Sequence, residues 1–387
     1  MSIGGEVSAA RNPSGPSALV IGGSLAGLAA GLELKAAGLR VSIHERSERV
    51  LDDRGAGIVL QPETVRLLSE RCGLRGEQMG VWLRYRQYLG KDGTPEFHQP
   101  MAQQMTSWGL LYRAMRAAFP NEAYFENDAL VNFHSDAAKV HTRLANTGDV
   151  EADLLVAADG SRSLVRSILF PDILPQYAGY VAWRGVVPES EADAGLLKTF
   201  VDHFTFQQLP HSHILCYLIP GAEGQIEPGA RRLNWVWYWN VSGAALSEVM
   251  TGRDGAVRDF SVQPGQVRSE LIKQQNTIAE DLFCPPFLAL WQTTREPFVQ
   301  PILDLMVPQM REGRVAIVGD AAFIPRPHTA ASTSKAIANG QALGAALGRH
   351  RLEIDAALRE WEPAQLELGR HLLLQGKALG DRSQFGK

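Results

Sequence analysis

The amino-acid sequence predicts an α/β protein in which a Rossmann-type domain is interrupted by an inserted β-sheet domain. Three observations support this fold class. A glycine-rich turn follows an apolar strand within residues 18–27. Two more apolar strands end in Asp159-Gly160 and in Gly319-Asp320, far along the chain. Between them, from about residue 176 to residue 298, strand-like runs alternate with proline and glycine turns.

Composition and charge argue against several classes of protein. With 387 residues, the chain exceeds one ordinary core, so two closely associated domains are expected. The net charge of −4 argues against nucleic acid as a partner, because phosphate binding needs a basic surface. The three cysteines show no disulfide or zinc spacing, and the ten histidines form no ligand cluster. We therefore expect a cytoplasmic protein without a metal.

The first element is a βαβ unit. Residues 19–21 read as a buried strand, residues 26–37 as a helix and residues 40–44 as the next strand. Four glycines and Glu33 within the apolar run 18–34 favour this interpretation over a membrane span. The turn before the helix would offer backbone N–H groups and the helix dipole to a phosphate.

Two details of this unit bear on its ligand. Glu45 lies about twenty residues after the turn, where a carboxylate accepts hydrogen bonds from ribose hydroxyls. The pattern Gly-x-Gly-x-x-Gly is here Gly22-x-Ser24-x-x-Gly27, and a small serine is tolerated in the middle. The unit therefore predicts FAD or NAD rather than NADP, with an ordinary glycine-rich turn as the alternative.

The later strands indicate a second ligand contact and the domain boundaries. An Asp beyond the carboxyl end of a parallel strand lies where open α/β sheets bind ligands, which places Asp320 at such a site. We expect a disordered leader at 1–16, a first part of the nucleotide domain at 17–175, and a substrate domain at 176–298. A second part of the nucleotide domain, with C-terminal helices, follows at 299–387. Residues 277–291 are expected to return the chain to the nucleotide domain.

The three signatures, in this order and spacing, resemble those of the flavoprotein aromatic hydroxylases, the p-hydroxybenzoate hydroxylase class. Segments 55–62, 182–185, 234–238 and 325–330 are more closely similar to those of hydroxypyridine hydroxylases. The resemblance implies an FAD-binding Rossmann-type (GR2-like) domain, with Glu45 on the adenosine ribose and Asp320 on the ribityl chain. It also implies that Asp159 serves FAD and nicotinamide nucleotide, and that Arg113 meets the pyrophosphate.

The candidate cofactor contacts follow from the fingerprint and this resemblance. Arg54 is a candidate flavin contact, with an exposed salt bridge as the alternative. The full set is Gly22, Ser24, Leu25, Glu45, Arg46, Arg54, Val59, Gln61, Arg113, Asp159, Asp320, Pro327, His328, Ala330, Ala331 and Ser332.

Candidate catalytic residues come from the strand-like run 213–220. Alternation places His213 and Tyr217 on one face, where they could hydrogen-bond a ring hydroxyl and assist its deprotonation. The alternative is that His213 caps a loop and Tyr217 packs in the core. His211, Tyr238 and His328 are candidate substrate contacts.

Residues 198–208 and 231–241 are further predicted strands. The alternating tryptophans in the second strand are more typical of a core than of a pocket.

The predicted function is a single-component FAD-dependent monooxygenase. NADH or NADPH, as a transient co-substrate, would reduce the flavin. Oxygen would then add to give a flavin hydroperoxide that hydroxylates an electron-rich aromatic or N-heteroaromatic ring. The partners are thus a small aromatic substrate and O₂, with a homodimer as the candidate assembly and no membrane. The alternatives are a flavin-dependent halogenase, an NAD dehydrogenase and a non-hydroxylating FAD protein.

Overall fold

The structure is a computed structural model that describes residues 15–48 and 57–386. Its strands are β1 (Ser17–Ile21), β2 (Arg40–His44), β3 (Gly57–Val59), β4 (Val81–Leu89), β5 (Pro95–Ser107), β6 (Tyr124–Phe125), β7 (Leu130–Ser135), β8 (Val140–Leu144), β9 (Gly148–Ala152), β10 (Leu154–Ala157), β11 (Gln176–Pro188), β12 (His203–Leu209), β13 (Ser212–Ile219), β14 (Arg232–Asn240), β15 (Phe298–Met306), β16 (Arg311–Glu312), β17 (Val315–Ile317) and β18 (Phe323–Ile324). Its α-helices are α1 (Leu25–Ala36), α2 (Pro62–Cys72), α3 (Trp108–Ala118), α4 (Leu164–Leu169), α5 (Ala194–Phe200), α6 (Gly243–Val249), α7 (Ser269–Leu282), α8 (Pro285–Thr293), α9 (Ser332–Arg349) and α10 (Ile354–Phe385).

The first sheet has the strand order β16-β17-β10-β1-β2-β6, and all pairs except β16–β17 are parallel. Its central strands β1, β10 and β17 are almost wholly buried and apolar, as expected for a parallel sheet covered on both faces. Helix α9 packs closely on α1, because Gly340 and Gly344 approach the α1 backbone where a side chain would collide. Strands from the start, middle and end of the chain therefore meet side by side.

The second sheet has the order β18-β15-β11-β14-β13-β12-β4-β5-β3. One face packs Trp183, Trp235 and Trp237 against α7 and α8, which fills the core of the substrate domain. On the opposite face, Arg184 and Val186 of β11 line a cavity, and β13 and β14 contact α10. Strands β3, β4 and β5 also join this sheet, so residues 57–107 contribute to it although they precede the expected boundary at residue 176.

The predicted fold class is confirmed, and the differences are local. Residues 198–200 are helical rather than extended, because Asp193 accepts a hydrogen bond from the Leu196 N–H and starts α5. Helices α7 and α8 pack on the substrate-domain core, so residues 277–291 do not return the chain to the nucleotide domain. The leader expected at 1–16 lies mostly outside the described residues. No helix in the described ranges is long and apolar enough to cross a bilayer.

Candidate active site

A cavity of about 1750 Å³ lies between the two domains. Its wall includes Glu45 after β2, Asp159 after β10 and Asp320 after β17, together with Arg184 and Gln300 from the second sheet. Three strand ends that are widely separated in sequence therefore face one space. This convergence is the central geometric expectation from the sequence.

The glycine-rich turn shapes one end of this cavity. Gly22 has φ +103°, and a Cβ atom there would lie 2.4 Å from the carbonyl oxygen of Ala158. Gly22 N–H donates to the His44 carbonyl oxygen at 2.8 Å, which ties the turn to β2. Ser24 is the N-cap residue of α1, and among the described atoms its side chain makes no capping hydrogen bond. Ser24 and Leu25 both line the cavity, so the N-terminus of α1 points into it, where its dipole favours a phosphate.

Glu45 holds this turn together. Its carboxylate accepts hydrogen bonds from the N–H groups of Gly23 at 2.7 Å and Ser47 at 2.9 Å. Tyr124 donates from its hydroxyl to the Gly23 carbonyl oxygen at 2.9 Å. A carboxylate has about four acceptor positions, so Glu45 retains capacity for ribose hydroxyls. The neighbouring His44 pairs with Asp128 at 2.8 Å, and burial nevertheless lowers the pKa of His44.

The two aspartates after β10 and β17 differ in their surroundings. Asp159 accepts hydrogen bonds through Oδ2 from the N–H groups of Leu164 and Val165 at the start of α4. Its Oδ1 is buried without a partner among the described residues, and burial raises the pKa of this carboxyl group. Asp320 has a side chain that is 43% exposed towards the cavity and contacts the ammonium group of Lys335. The Lys335 side chain is itself fully buried on α9.

These features fit a flavin dinucleotide. The cavity is long enough to be lined from Glu45 to Ser332, and it exposes the N-termini of α1 and α9 as sites for negative charge. The partly exposed carboxylate of Asp320 lines the cavity and could accept hydrogen bonds from hydroxyl groups of such a ligand. The predicted cofactor residues that line the cavity are Gly22, Ser24, Leu25, Glu45, Arg46, Asp159, Asp320, Pro327 and Ser332.

Other candidate cofactor residues lie outside the cavity wall. Val59, Gln61, Arg113, His328, Ala330 and Ala331 are absent from the lining that the described residues form. Gln61 instead precedes the first residue of α2, and Ala331 precedes the first residue of α9. Val59 lies on β3 and Arg113 within α3, while His328 and Ala330 belong to the segment before α9. Arg54 lies outside the described residues.

The substrate candidates His213, Tyr238 and His328 form one aromatic cluster with Tyr180. Ring centroids of His213 and Tyr238 lie 4.8 Å apart, and those of Tyr238 and His328 lie 4.7 Å apart. His328 Nε2 lies 2.8 Å from the hydroxyl of Tyr180. Burial lowers the pKa of His213 to about 4 and that of His328 to about 3, so both imidazoles are neutral near pH 7.

The C-terminal helix covers this cluster. His213 Nδ1 lies 2.6 Å from the hydroxyl of Ser383, in the last turn of α10. Asp381 on the same turn receives a hydrogen bond from Arg326 at 2.7 Å, and Arg326 also pairs with Asp304. His213 therefore belongs to a site closed by a residue 170 positions away in sequence.

The remaining two candidates are placed differently. Tyr217 is buried next to Phe204 and Gly57, on the sheet face predicted from alternation. His211 has φ +53° and occupies an exposed turn between β12 and β13, outside the cavity wall. The cavity wall formed by the described residues includes neither His211 nor the other candidates His213, Tyr217 and Tyr238, so their contacts with substrate remain predictions.

Sequence reasoning missed three residues of this site. Lys335 could have been noticed as a lysine within an apolar helix, and Arg184 as a charge within the strand-like segment Ala-Trp-Arg-Gly. Nothing in the sequence around Ser383 indicates that it belongs to this site. Its role depends on where α10 ends relative to β13.

Comparisons with known proteins agree with this geometry. A family model described as an FAD binding domain matches residues 16–240, and an FAD binding domain-like model matches residues 177–304. The chain is 36% identical over 369 residues to a 2,6-dihydroxypyridine 3-monooxygenase of Paenarthrobacter nicotinovorans, covering 95% of this chain and 91% of that protein.

Solved structures show the same likeness. The structure of 2,6-dihydroxypyridine-3-hydroxylase from Arthrobacter nicotinovorans matches with a TM-score of 0.90 at 35% identity, covering 97% of this chain and 94% of that one. Klebsiella pneumoniae HpxO complexed with FAD and uric acid matches with a TM-score of 0.77 at 22% identity, covering 96% and 89%. The second match shows the shared fold alone.

Proposed function

Because this chain belongs to the FAD binding domain family and is an FAD-dependent aromatic-ring monooxygenase, we propose that it hydroxylates a hydroxypyridine-like ring with NADH or NADPH and O₂. The observation that carries this proposal is the single cavity lined by Glu45, Asp320 and the open face of the second sheet. The substrate named for the 36% identical relative supports the class of ring.

The bound flavin would supply the oxygen chemistry, while the chain's own residues bind, orient and exclude water. We assign Glu45 to the adenosine ribose, the start of α1 to the pyrophosphate and Asp320 to the ribityl chain. The open sheet face then covers the ring system. Leu215 and Val236 on that face provide an apolar surface, which keeps water from the reacting atoms.

We assign His213 and Tyr217 to the substrate side of this site. Ser383 holds Nδ1 of His213, which leaves Nε2 for a hydrogen bond to a ring substituent. Burial raises the pKa of Tyr217 well above its ordinary value, so its hydroxyl remains a neutral donor. Both groups can therefore orient a ring oxygen without carrying charge at neutral pH.

The nicotinamide nucleotide is proposed to enter at the cavity mouth. Arg162, directly after Asp159-Gly160-Ser161, lies over the ring of Phe260 at 4.8 Å. Arg295 lines the same mouth with a side chain that is 78% exposed. Arg295 pairs with Glu191 at 3.1 Å, while Arg162 offers a guanidinium group stacked on an aromatic ring, which suits a transient ligand that carries phosphates and flat rings.

A direct test starts from the visible spectrum of the purified protein and continues with NAD(P)H consumption against hydroxypyridines and phenols. The expected result is a product heavier by one oxygen atom. Peroxide release without product would favour a non-hydroxylating oxidoreductase, and a halide-dependent product would favour a halogenase. Separate replacements of His213 and Tyr217 should suppress hydroxylation more than FAD binding.

We further propose that the enzyme works in the cytoplasm, as its unpaired cysteines suggest, and that it needs no nucleic acid or membrane. Light scattering on the purified holoenzyme tests the homodimer that we propose as its assembly.

A further inference from the structure

Lys335 is a charged residue in an unfavourable position on α9. Its side chain is fully buried, and it is the fourth residue of the helix, where the helix dipole opposes a cation. Its Nζ donates a hydrogen bond to Oδ1 of Asp320 and lies 5.3 Å from the ring centroid of Phe323. In residues 15–48 and 57–386, Asp320 is the only carboxylate that forms an ion pair with it. A buried charge is costly unless it is paired, so Lys335 depends on Asp320.

Helix α9 holds the turn that carries Asp320 at two points. Gly319 N–H donates a hydrogen bond to Oδ1 of Asn339 at 3.0 Å, and Asn339 is fully buried. Asn339 Nδ2 in turn donates to Oε1 of Gln365 on α10 at 2.9 Å. Lys335 and Asn339 are four residues apart, so they lie on the same side of α9. One side of this helix therefore contacts both the backbone and the carboxylate of the Gly319-Asp320 turn.

The two oxygens of the Asp320 carboxylate have different surroundings. Oδ1 accepts the hydrogen bond from Lys335, and Oδ2 accepts none from the described residues. The Asp320 side chain is 43% exposed and lines the cavity, whereas Lys335 is absent from the cavity wall. The ammonium group thus contacts Asp320 from the protein interior. The carboxylate keeps acceptor capacity on its cavity side.

A second buried cation lies near Asp320 but is bound in another way. Arg166 Nη1 donates to the carbonyl oxygen of Ala321 at 3.2 Å, and Nη2 donates to that of Ser161 at 2.6 Å. Arg166 therefore connects the turns after β10 and β17 through backbone atoms. Among the described cations, Lys335 alone forms an ion pair with Asp320.

We propose that Lys335 is a positioning residue for the flavin cofactor: it holds Oδ1 of Asp320, so that Oδ2 is presented to the cavity as the acceptor for a ribityl hydroxyl group. This inference rests on the proposed function, which assigns Asp320 to the ribityl chain. Lys335 is not part of the cavity wall, so it acts through Asp320. Its contact restricts the carboxylate before the cofactor binds, which lowers the conformational entropy lost on binding.

A purely structural ion pair would give a different pattern of defects. Loss of Lys335 would then disturb the cavity wall and weaken every part of the cofactor alike. If Lys335 acts through Asp320, the loss should be confined to ligands that have a ribityl chain. ADP has the adenosine and pyrophosphate groups of FAD but no ribityl chain, so it can distinguish the two roles.

The test measures release of FAD from the full-length holoenzyme. Fluorescence of the FAD released on serial dilution gives the Kd of FAD, and displacement by excess ADP gives the Kd of ADP. Lys335→Met should raise the Kd of FAD about tenfold, the size of one charged hydrogen bond, and should leave the Kd of ADP unchanged. In an Asp320→Ala background, Lys335→Met should change the Kd of FAD by less than about twofold, because Lys335 acts through Asp320.

Lys139→Met is the matched control. Lys139 also forms an ion pair with an aspartate, Asp153, at 2.5 Å, and both residues lie outside the cavity wall. This variant should leave both Kd values unchanged. Lys335→Met leaves a carboxylate that reaches water, so it should fold even if Asp320→Ala does not. The comparison of FAD with ADP then decides alone.

Three results would overturn the proposal. The first is a Kd of FAD in Lys335→Met within about threefold of wild type. The second is an equal rise in the Kd values of FAD and ADP. The third is an effect of Lys335→Met that persists undiminished in the Asp320→Ala background.

Failure of this inference can be distinguished from failure of the proposed function. If Asp320→Ala, alone or combined with Lys335→Met, binds FAD as tightly as wild type, the assignment of Asp320 to the ribityl chain fails, and the inference fails with it. If Asp320→Ala weakens FAD binding and Lys335→Met does not, only the inference about Lys335 fails. These measurements need no turnover, so a lack of hydroxylation would count against the proposed reaction alone.

Discussion

The proposed cofactor side and the proposed substrate side of this site are built in different ways. On the cofactor side, Gly22, Glu45 and Asp159 act through backbone geometry and hydrogen bonds to nearby N–H groups. On the substrate side, His213 is held by Ser383, and its neighbours come from separate strands and loops. The first region is specified by short segments, and the second depends on the register of several elements.

Because of this difference, substitutions on the two sides should have different measurable effects. Changes on the cofactor side should act on FAD content or on the stability of the cavity wall, because they alter a turn or a charge that shapes the binding cavity. Changes on the substrate side should leave FAD content intact and act on turnover or on pH dependence.

The largest effect is expected for Gly22→Val. The new Cβ would lie 2.4 Å from the Ala158 carbonyl oxygen, and φ +103° is strained for any L side chain. We expect FAD content, measured as the flavin-to-protein absorbance ratio, to fall at least about tenfold. Gly148→Ala is the control, since Gly148 also has positive φ (+86°) but a Cβ there meets nothing within 4 Å. It should cost about 1 kcal/mol of stability and retain FAD. Normal FAD content in Gly22→Val would contradict the expectation that changes on the cofactor side act on FAD binding.

The Asp320–Lys335 pair should respond asymmetrically. Asp320→Asn leaves the Lys335 ammonium group, with a side chain that is 0% exposed, without its carboxylate, which should cost roughly 3 kcal/mol or more. Lys335→Met leaves a carboxylate that is 43% exposed and accessible to water, so the loss should be only about 1 kcal/mol. Urea unfolding of the two apo variants measures both losses. Equal losses would contradict the role of burial.

The aromatic cluster should make stability depend on pH. Burial lowers the pKa of His213 to about 4 in the folded chain, from an ordinary value of 6.5 that we assume for the unfolded chain. The unfolded chain then binds more protons between these values, so stability falls as pH decreases from about 6.5 to about 4. The shift corresponds to roughly 3 kcal/mol lost across this window. His213→Gln should flatten the dependence of the urea midpoint on pH over the same range, and an unchanged slope would argue against a neutral, buried His213.

The smallest effect is expected for Ser383→Ala. Removing the hydroxyl 2.6 Å from His213 Nδ1 frees the ring to rotate, so we expect kcat to fall by about three- to tenfold at unchanged FAD content. Ser383→Thr keeps a hydroxyl at this position and should recover most of the loss. A fall in FAD content with normal kcat per flavin would place Ser383 on the cofactor side.

Several features of the fold could be predicted because they are local. The βαβ unit requires only a buried strand, glycines that permit the turn, and a carboxylate at the end of the next strand. The alternation of β14 likewise indicates which tryptophans fill the core, and the structure buries Trp235 and Trp237 there. The helix at 194–200 was missed because its start depends on one capping carboxylate, that of Asp193.

The order of amino acids alone established that three nucleotide-binding segments exist and that a β-sheet domain separates them. The folded chain was needed to show that His211 lies on an exposed turn, that Ser383 reaches His213, and that Lys335 reaches Asp320. Turn sterics and side-chain alternation act over a few residues, so a short stretch of sequence reveals them. Pairing across the second sheet and onto α10 depends instead on strand order and register between segments that are distant in the chain.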